Sequence, residues 1–218
     1  MNTGICVDYV SHMGDDLTVV NAARVSLAKE TSSLRDRDKS LLRFLAENGH
    51  WSPFGHPQVT FRVHAPIFVA RQLMRHKEGL HINELSRRYT EGGLAFYEPE
   101  VWRKRPTTRM APVDQALDPW WAAEADTTLS AAYAAAEDRY NELIELGVAP
   151  EQARMVLPQG LMTTWYWTGS LAAFARVYRL RATPEAQQDT AGVALQIGDH
   201  MRRLFPLSWP LLTEGTEA

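Results

Sequence analysis

Apolar residues recur every three or four positions in much of the chain, and this spacing predicts amphipathic helices. The stretches with this pattern are residues 15–30, 33–50, 66–76, 119–147, 170–182 and 184–205, with a shorter one at 150–158. Pro66 is well placed at a helix start. Gly49 and Gly147 are expected to end two of the helices. The pattern therefore predicts a mainly helical protein.

Alternating apolar and polar residues predict a few strands between these helices. The stretches that alternate or are short and apolar are residues 4–11, 57–65 and 161–169. In the middle one, alternate residues from Val59 to Ala65 are apolar, which is typical of a half-buried antiparallel strand. The predicted fold class is α+β, with several helices packed on a small antiparallel sheet. No repeat or linker divides the chain, so we expect a single domain over residues 1–218.

Composition and charge narrow the class of protein. The 218 residues are 45% hydrophobic, with a formal net charge of −3, so the overall charge does not favour binding to a polyanion such as DNA. The single cysteine, Cys6, excludes an intramolecular disulfide and fits a reducing, cytoplasmic setting. The sequence shows no secretory leader and no apolar run long enough for a membrane span. We therefore expect a soluble, cytoplasmic protein without membrane or nucleic-acid partners.

Cationic side chains concentrate in residues 71–89, RQLMRHKEGLHINELSRRY, which contain four arginines, two histidines and a lysine. Arg71 and Arg75 are four apart and are predicted to share a helix face. The periodicity fails from residue 77 to 82, and residues 83–89 are interpreted as a resumed helix. Like charges on an apolar helix repel each other, so an anion-binding site explains this cluster better than a solvated surface does.

Other kinds of site have little support in the sequence. The histidines show no HExxH spacing and there is no CxxC, so no metal site is predicted. Cys6 lies in an apolar strand, where a thiol is usually inert, and is not expected to be a nucleophile. Glycine-rich phosphate loops of the GxGxxG and GxxxxGK[ST] types are absent. Any phosphate would then be held by guanidinium groups, whose planar forks match phosphate oxygens.

The segments RQLM-RHK and NELS-R-RY resemble the signature of the flavin-dependent thymidylate synthases, which work without a nucleophilic cysteine. Further blocks resembling that family, in the family's order, are NAARVS, GHWSPFGH, FRVHAPIFVARQ, FYEPEVWR, PEQARMVLP and YRLRATPEAQ. The resemblance implies the family's fold and a homotetramer with active sites built from several subunits. It also implies FAD reduced by NADPH, methylenetetrahydrofolate as one-carbon donor, and C5-methylation of a uridylate, usually dUMP.

The resemblance also implies roles for individual residues. Arg181 and Ser86 match catalytic positions, and Arg181 is expected to stabilise negative charge on the pyrimidine carbonyl. The implied substrate-binding residues are Gln72, Arg75, Ser86, Arg88, Arg154 and Arg181. The implied cofactor-binding residues are Ser26, His50, Ser52, Arg75, His76, Lys77, Glu84, Ser170 and Arg176. Arg88 would hold the phosphate, with Ser86 donating its hydroxyl.

Several positions depart from the family's pattern. The departures are Gly55, Leu73, Lys77, His81, Ser170 and Arg176, with one extra residue between RHK and NELS. Ser170 and Arg176 stand where flavin-binding asparagines are expected. A related branch, the uridylate C5-methylases of nucleoside-antibiotic pathways, accepts the ribonucleotide UMP. The altered loop at residues 77–83 is where a 2′-hydroxyl would be admitted.

Two other interpretations stay open. The altered contacts could leave a degenerate family member that binds a nucleotide without catalysis, because function resides in the site and not in the fold. The other is a nucleic-acid-binding module, which the net negative charge disfavours. Its binding residues would be Arg71, Arg75, Arg87, Arg88, Arg103 and Arg105.

Overall fold

Helices predominate in the computed structural model, which describes residues 4–89, 93–106 and 115–214. Its elements are β1 (Cys6–Met13), α1 (Asp16–Arg24), α2 (Asp36–Glu47), β2 (Gln58–Pro66), α3 (Ile67–Leu73), β3 (Leu80–Glu84), α4 (Pro119–Glu145), α5 (Pro150–Ala153), β4 (Met162–Ser170), α6 (Leu171–Arg181), α7 (Gln188–Leu204) and α8 (Ser208–Thr213). Short 3-10 helices lie at Val25–Leu27, Ser52–Gly55 and Arg154–Val156. The strands form one antiparallel sheet in the order β1-β2-β4-β3, which confirms the α+β class.

The chain divides into two compact units. One comprises the residues up to Ile5, His64–Leu73 and Glu84–Trp165; the other comprises Cys6–Val63, Met74–Asn83 and the residues from Tyr166 onward. We call them the first and the second unit. The single domain over residues 1–218 stays a prediction.

Aromatic side chains fill the core of the second unit. Alternate residues of β2 point inward as predicted, and Phe61 and Val63 are fully buried. The Phe61 ring meets the ring of Phe174 on α6 edge to face, with centroids 5.1 Å apart, and Trp167 of β4 meets the same ring at 5.5 Å. Such edge-to-face contacts add to the free energy gained by burial. They fix α6 against the sheet.

Two buried carboxylates secure the helices of the second unit. Asp16, at the start of α1, accepts hydrogen bonds from the backbone N–H groups of Leu207 and Ser208, at 2.9 and 3.0 Å. Asp38, on α2, pairs with Arg24 of α1 and accepts a 2.8 Å bond from the Arg35 N–H. Buried carboxylates are tolerated where their oxygens have partners: Asp16 accepts two backbone hydrogen bonds, and Asp38 has both an arginine partner and a hydrogen bond.

The long helix α4 is held in the first unit by a tyrosine. The Tyr133 hydroxyl donates to the Tyr97 carbonyl at 2.8 Å, and the Tyr133 ring stacks on Phe96 at 4.6 Å. A Cβ at Gly160 would overlap that hydroxyl, so this position requires glycine. Burial raises the pKa of Tyr133, with a smaller contribution from Glu98, so the hydroxyl keeps its proton and remains a donor.

Tyr140 is the one side chain of α4 that is fully buried, and its hydroxyl finds no hydrogen-bond partner among the described protein atoms. An unsatisfied buried hydroxyl costs free energy. We therefore expect Tyr140→Phe to keep or raise the free energy of unfolding, by up to about 1 kcal/mol. Chemical denaturation of both proteins measures this change. A loss above about 1 kcal/mol would show that the hydroxyl is bonded in the folded protein.

The structure corrects two predictions about elements and adds one helix. Residues 83–89 do not resume a helix: Leu80–Glu84 forms β3 beside β4, and tertiary pairing overrides the local pattern. Helix α3 ends at Leu73, short of residue 76, so Arg71 and Arg75 do not share a helix face. Helix α8 was not predicted. No helix within the described ranges combines the length and the apolar character needed to span a membrane.

Candidate active site

A cationic groove lies in the second unit, between residues 75–80 and helix α6. Its volume is about 370 Å³. The lining residues are Arg75, His76, Lys77, Glu78 and Leu80, with Ala173, Arg176, Val177 and Leu180 from α6. The predicted flavin triplet and Arg176 thus line one surface. Cationic groups line it together with aliphatic side chains, which suits a ligand with an anionic group and an apolar ring.

A tight turn shapes this groove. The Leu80 N–H donates to the Lys77 carbonyl at 3.2 Å, and the Ser170 N–H donates to the Gly79 carbonyl at 3.2 Å. Gly79 has a φ of +69°, which is accessible to glycine at little cost. A Cβ at this position would also lie 3.2 Å from the Cβ of Ala173. Glycine is therefore needed for the turn to pack against the start of α6.

Ser170 is the N-cap of α6. Its hydroxyl oxygen accepts a 3.2 Å hydrogen bond from the Ala173 N–H, and the residue is buried. Serine is a preferred N-cap residue, which explains how it can replace an asparagine here without loss of the helix start. A direct contact of Ser170 with a flavin stays a prediction.

His76 contacts the predicted catalytic arginine. The Arg181 Nε–H donates to Nε2 of His76 at 3.1 Å. Arginine can only donate, so Nε2 must accept and the imidazole must carry its proton on Nδ1. Burial lowers the pKa of His76 below its ordinary value of 6.5, and Arg181 and Arg176 lower it further. His76 is therefore neutral at pH 7, and Arg181 is oriented by an uncharged acceptor.

This contact predicts a measurable coupling between Arg181 and His76. We expect Arg181→Gln to raise the pKa of His76 toward 6.5, because a nearby cation disfavours the charged imidazole. The depressed folded pKa also means that the folded state loses stability as the pH falls below 6.5, where the unfolded chain binds the proton more readily. An NMR titration of the His76 ring measures the pKa, with Arg179→Gln as control. An unchanged pKa in Arg181→Gln would contradict the contact.

Arg176 is hydrogen-bonded to the turn, and its side chain remains 41% exposed. Its Nη2 donates to the Glu78 carbonyl at 2.7 Å, and its Nη1 lies 3.1 Å from the Glu78 carboxylate. Sequence reasoning assigned no role to Glu78. It missed this contact because the partner lies 98 positions away along the chain.

A second, smaller cavity of about 130 Å³ lies in the first unit. Glu84, Arg87 and Arg154 line it, together with Thr163 of β4 and several aliphatic side chains. The Glu84 carboxylate accepts a 2.8 Å hydrogen bond from the Thr163 hydroxyl, which fixes its orientation. The Nε of Arg154 donates to the Glu151 carbonyl at 3.1 Å, which leaves the end of its guanidinium for other contacts. Thr163 was not predicted as a site residue.

Ser86 and Arg88 lie together in the turn that follows β3. The Ser86 hydroxyl oxygen lies 3.4 Å from both the backbone nitrogen and the Nε of Arg88. The Arg88 guanidinium lies 5.0 Å from the centre of the exposed Tyr89 ring, a cation–π contact. The predicted phosphate-binding pair is therefore assembled locally. Gln72, on α3 in the same unit, is partly exposed.

The described lining of the cationic groove does not include five of the predicted cofactor residues, namely Ser26, His50, Ser52, Glu84 and Ser170. Ser26 lies in a 3-10 helix, where its hydroxyl donates to the Ala23 carbonyl at 3.3 Å. His50 packs edge to face on Phe44, with ring centroids 5.7 Å apart. Ser52 begins the 3-10 helix before β2. Within the described residues, no three His, Cys, Asp or Glu side chains come close enough to hold a metal ion.

Comparison with known proteins defines the family. Residues 8–207 match the family model described as thymidylate synthase complementing protein. The chain is 39% identical over 208 residues to the flavin-dependent thymidylate synthase of Thermus thermophilus, covering 95% of this chain and 75% of that protein. It is also 39% identical to the enzyme of the same name from Thermosipho africanus, covering 90% of this chain and 86% of that one. The chain belongs to the flavin-dependent thymidylate synthase family and is a methyltransferase.

Solved structures agree with this family. The UMP/dUMP methylase PolB from Streptomyces cacaoi, bound with 5-Br dUMP, superimposes with a TM-score of 0.86. The two proteins are 32% identical, and the match covers 98% of this chain and 96% of that one. The same methylase bound with 5-Br UMP gives a TM-score of 0.85 at 31% identity. The fold predicted from the resemblance is thereby confirmed.

Proposed function

We propose that this protein catalyses flavin-dependent reductive C5-methylation of a uridylate, dUMP, UMP or both. The proposed cofactor is FAD, the reductant NADPH, and the one-carbon donor methylenetetrahydrofolate. The observation that carries the proposal is the contact between His76 and Arg181 beside the cationic groove. It joins the predicted flavin triplet to the arginine predicted to act on the pyrimidine.

The residues of the groove fit a flavin nucleotide. Arg75, Lys77 and Arg176 offer positive charge for phosphate oxygens, and Leu80 and Leu180 offer apolar surface for a ring. Lys77 stands where the family has an arginine, so it supplies a point charge instead of a fork. When bound, the flavin supplies the hydride chemistry. Ser26, His50, Ser52, Glu84 and Ser170 are proposed to complete its surroundings.

The nucleotide is proposed to bind through its phosphate and its base. Arg88 and Ser86 already form a local pair that offers charge and a hydroxyl to phosphate oxygens. Gln72, Arg75 and Arg154 are the other proposed ligands. The solved methylase carries 5-Br dUMP in one structure and 5-Br UMP in the other, which supports testing both nucleotides.

Arg181 is proposed to stabilise negative charge on the pyrimidine carbonyl as C5 becomes nucleophilic. A preorganised donor is effective because it needs no rearrangement when the charge develops. The bond to His76 Nε2 uses the Arg181 Nε and leaves its two terminal nitrogens for the ring. Because His76 is neutral, it orients Arg181 without a second positive charge in contact with it.

Assembly as a homotetramer of single-domain subunits is proposed from the family resemblance. Helix α4 supports an interface, because only one of its 27 residues is buried within the chain. Trp120 and Trp121, at its start, are 65% and 57% exposed. Large exposed apolar side chains that are clustered often mark interaction sites.

The proposed function is tested by purifying the protein and recording its absorbance spectrum with and without added FAD. We expect flavin binding, followed by bleaching of the flavin absorbance when NADPH is added and recovery when nucleotide and methylenetetrahydrofolate follow. Binding of dUMP or UMP without any flavin binding would favour the degenerate nucleotide-binding protein. A steeply salt-dependent affinity for oligonucleotides would instead indicate the nucleic-acid-binding module.

A further inference from the structure

Glu78 places a carboxylate among the cations of the groove. It belongs to the segment KEGLHI, which holds the extra residue between RHK and NELS. Its carboxylate lies 3.1 Å from Nη1 of Arg176. Arg176 is the residue that stands where the family resemblance implies an asparagine. We propose that Glu78 is an internal counterion that competes with a phosphate-bearing ligand for Arg176, and so sets how tightly the groove binds that ligand.

Glu78 and Arg176 make two contacts, and one breaks more easily than the other. The Glu78 carbonyl is fixed by the turn around it, and it accepts from Arg176 Nη2 at 2.7 Å. The Glu78 side chain is 86% exposed, so its carboxylate can rotate into solvent. Loss of the carboxylate contact would therefore leave the guanidinium anchored through Nη2 and open at Nη1. The Glu78 carbonyl thus holds Arg176 in place, while the Glu78 carboxylate takes up the nitrogen that a ligand would use.

A ligand phosphate can displace the Glu78 carboxylate because it binds Arg176 more strongly. A carboxylate pair this exposed is weak and is screened by salt. A diphosphate offers more oxygens and more charge, and it can meet the planar guanidinium with two hydrogen bonds. Exchange of Glu78 for the ligand is therefore favourable. The displaced carboxylate nevertheless remains near the groove and lowers the affinity that Arg75, Lys77 and Arg176 would otherwise give.

The ligand class is a nucleotide with a diphosphate, and its identification as FAD rests on the proposed function. The experiment measures the dissociation constant of FAD from the quenching of flavin fluorescence, for the wild type and Glu78→Gln. Glutamine keeps the size of the side chain and removes its charge. We expect FAD to bind about threefold to tenfold more tightly to Glu78→Gln, and the gain to shrink as salt is added.

A double-mutant cycle separates competition for Arg176 from general repulsion. Arg176→Gln alone should weaken FAD binding. In that background, Glu78→Gln should change the dissociation constant by less than about twofold. The matched control is Glu142→Gln, which removes the carboxylate of an exposed arginine pair on α4 and should leave FAD affinity unchanged. An unchanged or weaker affinity in Glu78→Gln overturns the proposal, and so does an equal gain with and without Arg176.

A second ligand distinguishes a failure of this inference from a failure of the proposed function. Inorganic pyrophosphate is titrated into both proteins, and the ring signals of His76, which lines the same groove, are followed by NMR. Tighter pyrophosphate binding in Glu78→Gln supports the competition even if FAD does not bind, and in that case it is the proposed function that fails. If FAD binds but neither probe binds more tightly to Glu78→Gln, the proposed function stands and the inference is overturned. If neither probe binds to either protein, both are wrong.

Discussion

Arg181→Ala is expected to lower kcat by about 100- to 1,000-fold while the protein keeps its fold. The variant removes the proposed donor to the pyrimidine carbonyl, which is needed most when charge develops on the ring. Arg181 lies in the last turn of α6 and is partly exposed, so its loss leaves no cavity in the core. Steady-state turnover of dUMP and UMP measures the effect, and circular dichroism checks the fold.

Arg179→Ala is the matched control for this variant. It removes an exposed arginine from the same turn of the same helix, and its turnover should be near that of the wild type. Arg181→Lys should stay strongly impaired, because a lysine ammonium cannot reproduce the fixed geometry of the guanidinium. Near-normal turnover in Arg181→Ala would remove this residue from the proposed mechanism.

Asp38→Ala is expected to lower the free energy of unfolding by about 3–5 kcal/mol. Asp38 is fully buried, and the substitution leaves the largely buried Arg24 guanidinium without its carboxylate. It also removes the acceptor of the Arg35 N–H at the start of α2. The melting temperature should fall by about 6–20 °C, as calorimetry or thermal denaturation can show.

Asp36→Ala separates the buried contact from the effect of charge at the helix start. Asp36 lies in the same first turn of α2, but its side chain is 98% exposed, and it pairs only across the surface with Lys39. Its loss should cost no more than about 1 kcal/mol. Equal losses of stability in the two variants would show that the pair between Arg24 and Asp38 is not the cause.

Hydrophobic periodicity predicted most of the helices and strands. The alternation from Val59 to Ala65 carried enough information because one face of β2 is fully buried. The glycines after α2 and α4 were also correct as stop signals, since Gly49 and Gly147 both adopt positive φ. Local pattern succeeds at these places because local chemistry and tertiary packing favour the same structure.

The pattern failed where distant parts of the chain decide the structure. Strand β3 exists through its pairing with β4, and Gly79 reaches the start of α6 because its backbone can take a positive φ. The hydrophobic pattern of KEGLHI predicts neither the strand pairing nor the approach of Gly79 to α6. The interaction of Glu78 with Arg176 is invisible in sequence for the same reason. The resemblance places the extra residue in this segment, so it is where we expect substrate preference to be decided.

The residues of the candidate site were predicted from the family resemblance and not from the spacing of residues along the chain. Spacing alone predicted an anion site at the arginines, and it placed Arg75 wrongly on a helix face. The structure adds what neither source contained, namely the bond from Arg181 to His76 and the lowered pKa of the imidazole, which results from burial first and from Arg181 and Arg176 second. The pathway served by the enzyme, including a role in antibiotic biosynthesis, stays a prediction.

The most direct test of this account is a methyl-transfer assay in which dUMP and UMP are compared side by side. The purified protein is supplied with FAD, NADPH and methylenetetrahydrofolate labelled in its one-carbon unit, and the nucleotide product is analysed by mass spectrometry. We predict that the label appears as a C5 methyl group on at least one of the two nucleotides, and that this depends on FAD. Flavin-loaded protein that labels neither nucleotide would contradict the account.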